Sequence, residues 1–137
     1  MSRLADPKIQ RFLDTKEIVV LATTQPDGAP LAMAMWFLHD SAALTMISVA
    51  NLQKVRNLRR DPRVSVVAEA GGGGKPICGV AAQGQAEFLA DGPERRALVE
   101  GFHRKYADLE GYWGGQDMPA DRVMFRIVPE RVREWGL

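Results

Sequence analysis

Apolar and polar residues alternate along this chain with two periods, one typical of strands and one typical of helices. Runs rich in β-branched and apolar residues, such as EIVVLATT at positions 17–24, favour strands. Pro26-Asp27-Gly28 has the composition of a tight turn, so the first two runs should form a hairpin. The pattern predicts strands over residues 17–24, 30–38, 43–49, 63–70, 77–88 and 122–129, with residues 131–135 extending the sheet.

Helical spacing occurs in three further segments. The pair Asp6-Pro7 supplies an N-cap and a first helical residue for an opening helix. A short basic helix is expected between the third and fourth strands, and a longer helix over residues 91–109. The apolar stripes of these helices are Ile9, Phe12 and Leu13; Val55 and Leu58; and Leu98, Phe102 and Tyr106.

The arrangement of these segments indicates the fold class. About six strands joined mostly by short turns, with helices inserted at intervals, favour an antiparallel β-barrel over a parallel sheet with regular crossovers. Gly79 and Gly84 interrupt the fifth strand, where a bulge or a close backbone approach is expected. The 137 residues, 46% of them apolar, are enough for one domain with a real core. We therefore predict a single mainly β domain over residues 1–137.

Composition narrows the classes of function. Eighteen Lys and Arg residues against seventeen Asp and Glu residues leave a formal net charge of +1, which argues against binding to nucleic acid or to a membrane. Cys78 is the only cysteine, so an intramolecular disulfide is impossible. Because no apolar leader or long apolar run is present, we expect a cytoplasmic protein. His39 and His103 have no partners at ligand spacing, so no metal site is predicted.

The strongest chemical signal is the basic helix after the third strand. Asn51 is expected to cap its start, and Asp61-Pro62 to end it. A helix N-terminus presents unpaired N–H groups and the positive end of the helix dipole, so Ser48, Asn51 and Lys54 are candidate ligands of a phosphate. The alternative is a solvated basic face without a specific ligand. The cationic residues are Lys54, Arg56, Arg59, Arg60 and Arg63.

A run of four glycines at positions 71–74, followed by Lys75-Pro76, has some of the character of a phosphate loop. The required spacing fails, because Glu69 stands where the opening Gly should be and Pro76 where the Ser or Thr should be. We interpret the run as a flexible hairpin tip.

In the order of its segments the chain resembles the flavin-binding split barrels related to pyridoxamine 5'-phosphate oxidase, including their deazaflavin-dependent bacterial relatives. The resemblance covers nearly the whole chain and implies a split antiparallel barrel of six to seven strands. Its most specific motif is KVRNLRRDPRVSV. The four motifs are ATTQPDGAP at 22–30, MWFLHD at 35–40, KVRNLRRDPRVSV at 54–66 and, more weakly, RIVPERVREW at 126–135.

This resemblance also implies a homodimer with FMN bound in each of two grooves at the subunit interface. The family's phosphate site coincides with the anion site inferred from the basic helix. Chemistry in such a site belongs to the cofactor, so no catalytic side chain is assigned. The implied cofactor-binding residues are Ser48, Asn51 and Lys54 at the phosphate, Met33, Met35 and Trp36 along the ring system, and Gln83 or Trp113 from the second subunit.

The strand pattern and the loop composition leave alternatives for two of these groups. Met33 and Met35 share one strand face and Trp36 points away from it, so all three touch one ring only if a bulge intervenes. Trp113 lies in a glycine-bounded aromatic loop that could cover a ring. It could equally plug the end of the barrel, with its indole N–H bonded to a backbone acceptor.

The predicted function is that of an FMN-dependent oxidoreductase that passes two electrons between FMN and a small organic molecule. A first alternative is a reductase that uses coenzyme F-420, although Leu52 stands where some deazaflavin-binding relatives carry an Arg. A second is a non-catalytic protein that stores or senses flavin, because a fold does not establish catalysis. A nucleic-acid-binding barrel is disfavoured by the near-neutral charge and by the lack of alternating basic and aromatic positions along a strand.

Overall fold

The structure is a computed structural model, and it describes residues 3–137. Within that range the chain forms seven strands and four helices. In chain order they are α1 (Pro7–Asp14), β1 (Ile18–Thr24), β2 (Pro30–Trp36), β3 (Leu38–His39), β4 (Leu44–Val49), α2 (Gln53–Arg60), β5 (Arg63–Gly72), β6 (Lys75–Leu89), α3 (Pro93–Lys105), α4 (Leu109–Trp113) and β7 (Arg122–Trp135).

All seven strands belong to one sheet, in the order β2-β1-β5-β6-β7-β4-β3, and every pair is antiparallel. The two edge strands, β2 and β3, are separated in sequence only by Phe37. The sheet must therefore curl until its edges approach each other, as in a barrel with a split. The predicted mainly β antiparallel split barrel is confirmed.

The core follows from strict alternation along the strands. On β1, Val19 and Leu21 are buried while Ile18 and Val20 are exposed. Buried residues from α1, α2 and the strands form the main core. A second cluster packs α3 and α4 against Met124 of β7. Its fully or largely buried members are Val99, Phe102, Tyr106, Leu109 and Met124.

Two residues at the end of α3 supply hydrogen-bond partners where the chain passes from β2 to β3. The Phe37 N–H donates to the Tyr106 hydroxyl at 2.9 Å, and that hydroxyl donates to the Glu17 carbonyl at 2.7 Å. Lys105 Nζ donates to the Phe37 carbonyl at 2.8 Å. Burial raises the pKa of Tyr106 to about 12 and lowers the pKa of Lys105 to about 8. At the split, hydrogen bonds from the Tyr106 and Lys105 side chains thus take the place of backbone hydrogen bonds between strands.

Two predicted elements end before their expected bounds. The strand expected over residues 30–38 is interrupted at Phe37, where the backbone moves from one edge of the sheet to the other. The helix expected over residues 91–109 ends at Lys105, because Tyr106 leaves helical geometry (φ −116°, ψ 93°) with its hydroxyl anchored at the split. Residues 131–135 extend the sheet as predicted, and they form one strand with residues 122–129, since Pro129 lies opposite Gly84 at an irregularity in the ladder where a donor is not required.

The irregularity expected around Gly84 is confirmed, because the register between β6 and β7 shifts between Gln83 and Gly84. A Cβ at residue 84 would overlap the Val128 carbonyl, so only glycine fits there. The glycine run forms the tip between β5 and β6, as predicted. No helix within residues 3–137 is both long enough and apolar enough to cross a bilayer.

Candidate cofactor site

The candidate site begins where β4 ends. Leu44 and Met46 point into the core and Ser48 continues the same inward row, with 5% of its surface exposed. Its backbone pairs with Val123 of β7. The Ser48 hydroxyl donates to the neighbouring Val49 carbonyl at 3.1 Å, a local bond that leaves the oxygen able to accept another. β4 therefore delivers a buried hydroxyl immediately before α2.

The start of α2 differs from the prediction. The N-cap is Leu52, in an extended conformation (φ −77°, ψ 155°), and not Asn51. The Ala50 N–H is bonded to the Asp121 carbonyl at 2.8 Å, which holds the end of β4 straight and delays the helix by one residue. Asn51 is exposed, and its carbonyl accepts from the Arg56 guanidinium. Because Leu52 has no side-chain acceptor, the first-turn N–H groups of α2 are left without a side-chain cap.

Lys54 is the most unusual charged residue of this site. It lies on the buried face of α2 with only 8% of its surface exposed. None of the ion pairs found in residues 3–137 includes it. Burial lowers the pKa of its ammonium, and no carboxylate acts in the opposite direction.

The tip of Lys54 reaches the surface. Every fully buried side-chain nitrogen or oxygen of the described residues has a hydrogen-bond partner. The Lys54 ammonium has no protein acceptor among those residues, so its Nζ must contact solvent while its methylene stem is buried. A partly desolvated cation at an uncapped helix N-terminus fits a phosphate group, which brings both the negative charge and the acceptors that the site lacks.

A buried polar network supports α2 from below. Asn57 is completely buried, donates to the Thr23 hydroxyl on β1 at 3.0 Å and accepts from the Gln53 side-chain amide at 2.8 Å. Sequence reasoning missed this network. The available signal was a polar residue between Val55 and Leu58 on the apolar side of an amphipathic helix. Its partner Thr23 is 34 residues away in sequence and could not be identified from spacing.

The residues expected along the cofactor ring divide as the strand period predicts. Met33 and Met35 are paired with Leu21 and Val19, which face inward, whereas Trp36 is paired with the exposed Ile18. Met35 is 5% exposed and packs in the main core, while Met33 is 39% exposed. Trp36 stacks on Tyr106, with 4.4 Å between ring centroids and 9° between planes. No bulge brings the three side chains to one face, and a role for each along a ring stays a prediction.

The two residues expected from a second subunit lie on other elements. Gln83 is exposed on the outer face of β6 and lines a surface cavity of about 700 Å³ together with Thr24, Ser65 and Arg131. Trp113 is half-buried in the second cluster, and its indole N–H donates to the Gly115 carbonyl at 2.7 Å. Gln83 lies on β6 and Trp113 on α4, so within one chain neither belongs to the β4–α2 segment that carries Ser48 and Lys54.

The two histidines take part in hydrogen bonds. His39 Nε2 lies 2.8 Å from the Asp14 carboxylate, and His39 Nδ1 lies 2.9 Å from the Gln10 side-chain oxygen. His103 Nε2 lies 2.8 Å from the Gln116 carbonyl. In the part of the chain that the structure describes, no three His, Cys, Asp or Glu side chains gather closely enough to hold a metal ion.

Comparison with known proteins places this geometry in a family. A conserved hypothetical protein from Mycobacterium tuberculosis is 34% identical, with a TM-score of 0.81 over 98% of this chain and 84% of that protein. A FAD-binding protein from Mesorhizobium loti is 23% identical, with a TM-score of 0.76 over 93% of this chain and 89% of its own. HutZ, the heme storage protein of Vibrio cholerae, shares the fold at 17% identity and a TM-score of 0.78, over 96% of this chain and 94% of its own.

The sequence profile of the family described as pyridoxamine 5'-phosphate oxidase matches residues 5–136, which is nearly the whole chain. The two more distant structures, below 25% identity, establish the shared fold alone. The resemblance inferred from the motifs is confirmed, and the protein belongs to the pyridoxamine 5'-phosphate oxidase family.

Proposed function

We propose that this protein is a flavin-dependent oxidoreductase that binds FMN as a homodimer and passes two electrons between FMN and a small organic molecule. The observation that carries the proposal is Lys54, a lysine more than nine-tenths buried that has no anionic partner in the described residues and lies in the uncapped first turn of α2. Its stem is buried and its ammonium is partly desolvated at the surface, so a bound phosphate would supply the missing counter-ion and a charge-assisted hydrogen bond.

The residues of the β4–α2 segment have distinct roles in this proposal. The Lys54 ammonium neutralises the phosphate, the first-turn N–H groups of α2 donate to its oxygens, and the inward-facing Ser48 hydroxyl adds a neutral bond. Asn51 is exposed beside this segment and closes over the phosphate from the solvent side. When bound, the flavin supplies the two-electron chemistry. The protein orients the ring and excludes water, with Met33 as an exposed apolar contact on the inward-facing side of β2.

An apolar surface on the outer face of the sheet supports the homodimer. Ile18, Val20 and Trp36 are 48%, 38% and 40% exposed, and they lie on the same side of two paired strands. A contiguous apolar patch of this kind is typical of a protein–protein contact. Ala32 and Ala34 are exposed on that face and leave it flat enough for a second copy to pack closely.

The same face favours Gln83 over Trp113 as the residue contributed by the second subunit. Ala22 of β1 is opposite Ser65 of β5, which is opposite Gln83 of β6, so all three lie on one side of the sheet. A second copy that covers this side would meet Gln83. The Trp113 indole, by contrast, already has its N–H bonded to Gly115 and its ring in the second cluster.

The cofactor is tested by two measurements on the purified protein. We expect the copurifying ligand, if released by denaturation, to have the mass of FMN, and we expect the ligand-free protein to bind FMN more tightly than coenzyme F-420. Leu52, which is 43% exposed at the N-cap, adds no charge for the longer anionic cofactor. Tighter binding of F-420 would transfer the proposal to the deazaflavin, and binding of neither would refute it.

The proposed dimer interface is tested by placing charged residues in it. Ile18→Lys with Val20→Lys should convert a dimer to a monomer, because two cations cannot be buried in an apolar interface. The matched control is Ile77→Lys, a change at a residue that is 66% exposed near the hairpin tip. Light scattering after size-exclusion chromatography gives the mass. A wild-type monomer, or a double variant that remains dimeric, would contradict the assignment of this face.

Turnover is tested separately. The FMN-loaded protein is reduced under nitrogen and mixed with a panel of quinones, nitro compounds and aldehydes. An oxidoreductase should be reoxidised by at least one of them faster than by dissolved oxygen. Equal rates across the panel would favour a protein that stores or senses flavin.

A further inference from the structure

The Thr23–Asn57–Gln53 network lies directly beneath the candidate phosphate site. Asn57 is one turn beyond Lys54 on the buried face of α2, and it makes the buried hydrogen bond from α2 to β1. The exposed Arg60 guanidinium makes a second bond from α2 to β1, at the Thr24 carbonyl. Asn57 Nδ2 donates to Thr23 Oγ1 at 3.0 Å, and Asn57 Oδ1 accepts from Gln53 Nε2 at 2.8 Å. Gln53 is the first residue of α2, so the network also reaches the turn whose N–H groups are uncapped.

We propose that Asn57 is a positioning residue, which sets the rotation of α2 about its own axis and thereby directs Lys54 and the first-turn N–H groups at the bound phosphate. The inference rests on the proposed function, because it concerns the same anion site. Asn57 does not itself touch the ligand in this account.

Apolar packing alone would not fix that rotation. Val55 and Leu58 hold α2 against the core, and burial of aliphatic side chains is non-directional. A hydrogen bond is directional and weakens steeply when its angle is lost. The Asn57–Thr23 bond therefore specifies an orientation that Val55 and Leu58 leave loose.

Stability gives little reason for this pair of polar side chains. Replacing both partners of a buried hydrogen bond by apolar groups of the same shape is often nearly neutral. Thr23 and Asn57 are 2% and 0% exposed, so their burial would suit a pair of aliphatic residues. The contact is explained if the orientation of α2 matters for Lys54.

The test compares two variants that break the Thr23–Asn57–Gln53 network with one variant that weakens apolar packing. Asn57→Leu and Thr23→Val each remove the buried Asn57–Thr23 bond, whereas Leu58→Ala removes packing from the same helix and keeps that bond. The measurements are the dissociation constants for FMN and for riboflavin, which lacks the phosphate, and the melting temperature.

We expect Asn57→Leu and Thr23→Val to weaken FMN binding by about tenfold, the factor that corresponds to one hydrogen bond, and to change riboflavin binding by less than about twofold. Leu58→Ala should lower the melting temperature and leave the ratio of the two dissociation constants as in the wild type. If Asn57→Leu does not fold, Thr23→Val decides, since Val is well tolerated in a strand.

A second measurement, the pH dependence of FMN affinity, distinguishes a role of Asn57 in orienting α2 from a role in stability alone. FMN affinity should fall with rising pH as Lys54 loses its proton. A rotated α2 exposes more of the Lys54 side chain to water, so the pH at which affinity is lost should move upward in Asn57→Leu and Thr23→Val. An unchanged ratio and an unchanged midpoint in both variants would overturn the inference. A wild-type protein that binds FMN no better than riboflavin would instead overturn the phosphate site on which it rests.

Discussion

α1 and α2 are both eight-residue amphipathic helices packed on the same core, yet they begin in opposite ways. α1 starts with a side-chain cap, in which the Lys8 N–H donates to the Asp6 carboxylate at 3.0 Å, and has Pro7 at its first position. Its buried residues are all apolar. α2 has Leu52 as its N-cap and no side-chain cap, and its buried face includes Lys54 and Asn57.

The difference separates what the fold needs from what a ligand needs. A helix that only completes a core should satisfy its first-turn donors and bury apolar groups, as α1 does. α2 leaves donors open and buries most of a lysine side chain, and each feature costs stability. Such features persist where binding uses them, so the contrast with α1 supports the anion site proposed at α2.

The largest effect is expected from giving α2 the start that α1 has. Leu52→Asp introduces a carboxylate that can cap the first turn, in the place that a phosphate would occupy. FMN affinity should fall by about 2–3 kcal/mol, the scale of a lost charge-assisted bond, and the ligand-free protein should become more stable by about 1 kcal/mol. Isothermal titration and urea denaturation measure the two quantities.

Leu52→Asn is the matched control, because it can cap the turn without adding a charge. It should stabilise the free protein similarly and reduce FMN affinity less than Leu52→Asp. If Leu52→Asp bound FMN as tightly as the wild type, the ligand would not use the start of α2.

A smaller effect, a loss of stability without a loss of FMN affinity, is expected from removing the cap of α1. Asp6→Ala removes the cap, so the free energy of unfolding should decrease by about 1 kcal/mol. FMN affinity should be unchanged, because no residue of α1 is assigned to the phosphate site. Urea denaturation monitored by circular dichroism gives the first value. A loss of FMN affinity that exceeds the measured loss of folded protein would show that the two helices are not separable.

The smallest effect is expected from pH. Because burial lowers the pKa of Lys54 from its usual value of 10.5, its charge is lost in the folded protein at a pH where the unfolded chain still holds the proton. The stability of the ligand-free protein should therefore rise as the pH increases from the folded pKa towards 10.5, while FMN affinity falls. Thermal melts and FMN titrations from pH 7 upward measure these trends.

Lys105 should contribute to the same rise in stability from about pH 8, because its pKa is also lowered by burial, to about 8. It does not belong to the anion site. Lys105→Met should therefore reduce the rise in stability without altering how FMN affinity depends on pH. FMN affinity that is flat with pH in the wild type would argue against Lys54 as a phosphate ligand.

Much of the fold followed from local patterns. The cap at Asp6, the hairpin at Pro26-Asp27-Gly28 and the irregularity at Gly84 are each determined by residues close together in sequence, and all three are confirmed. The separation of Met33 and Met35 from Trp36 follows from the period of two along a strand, and it too is confirmed.

The incorrect or missed features depend on distant contacts. The helix start at Leu52 depends on the bond between Ala50 and Asp121, and the helix end at Lys105 on the bond between Tyr106 and Phe37. No sequence period reports such pairs. Burial of Lys54 was likewise not expected from a segment rich in Arg and Lys, because the direction of each side chain is decided by how α2 packs on β1.

The most direct test of the account combines one substitution with two ligands. FMN and riboflavin differ only in the phosphate, so the ratio of their dissociation constants measures the phosphate contact. In the wild type FMN should bind more tightly by a wide margin. In Lys54→Met that preference should decrease by about 1.5–3 kcal/mol, the scale of a hydrogen bond to a charged group, while the free protein keeps or gains stability.

Lys75→Met, at an exposed lysine on the hairpin tip, is the control and should leave the preference as in the wild type. The account predicts a loss of preference for FMN that is confined to the Lys54 variant. An undiminished preference for FMN over riboflavin in Lys54→Met would contradict it.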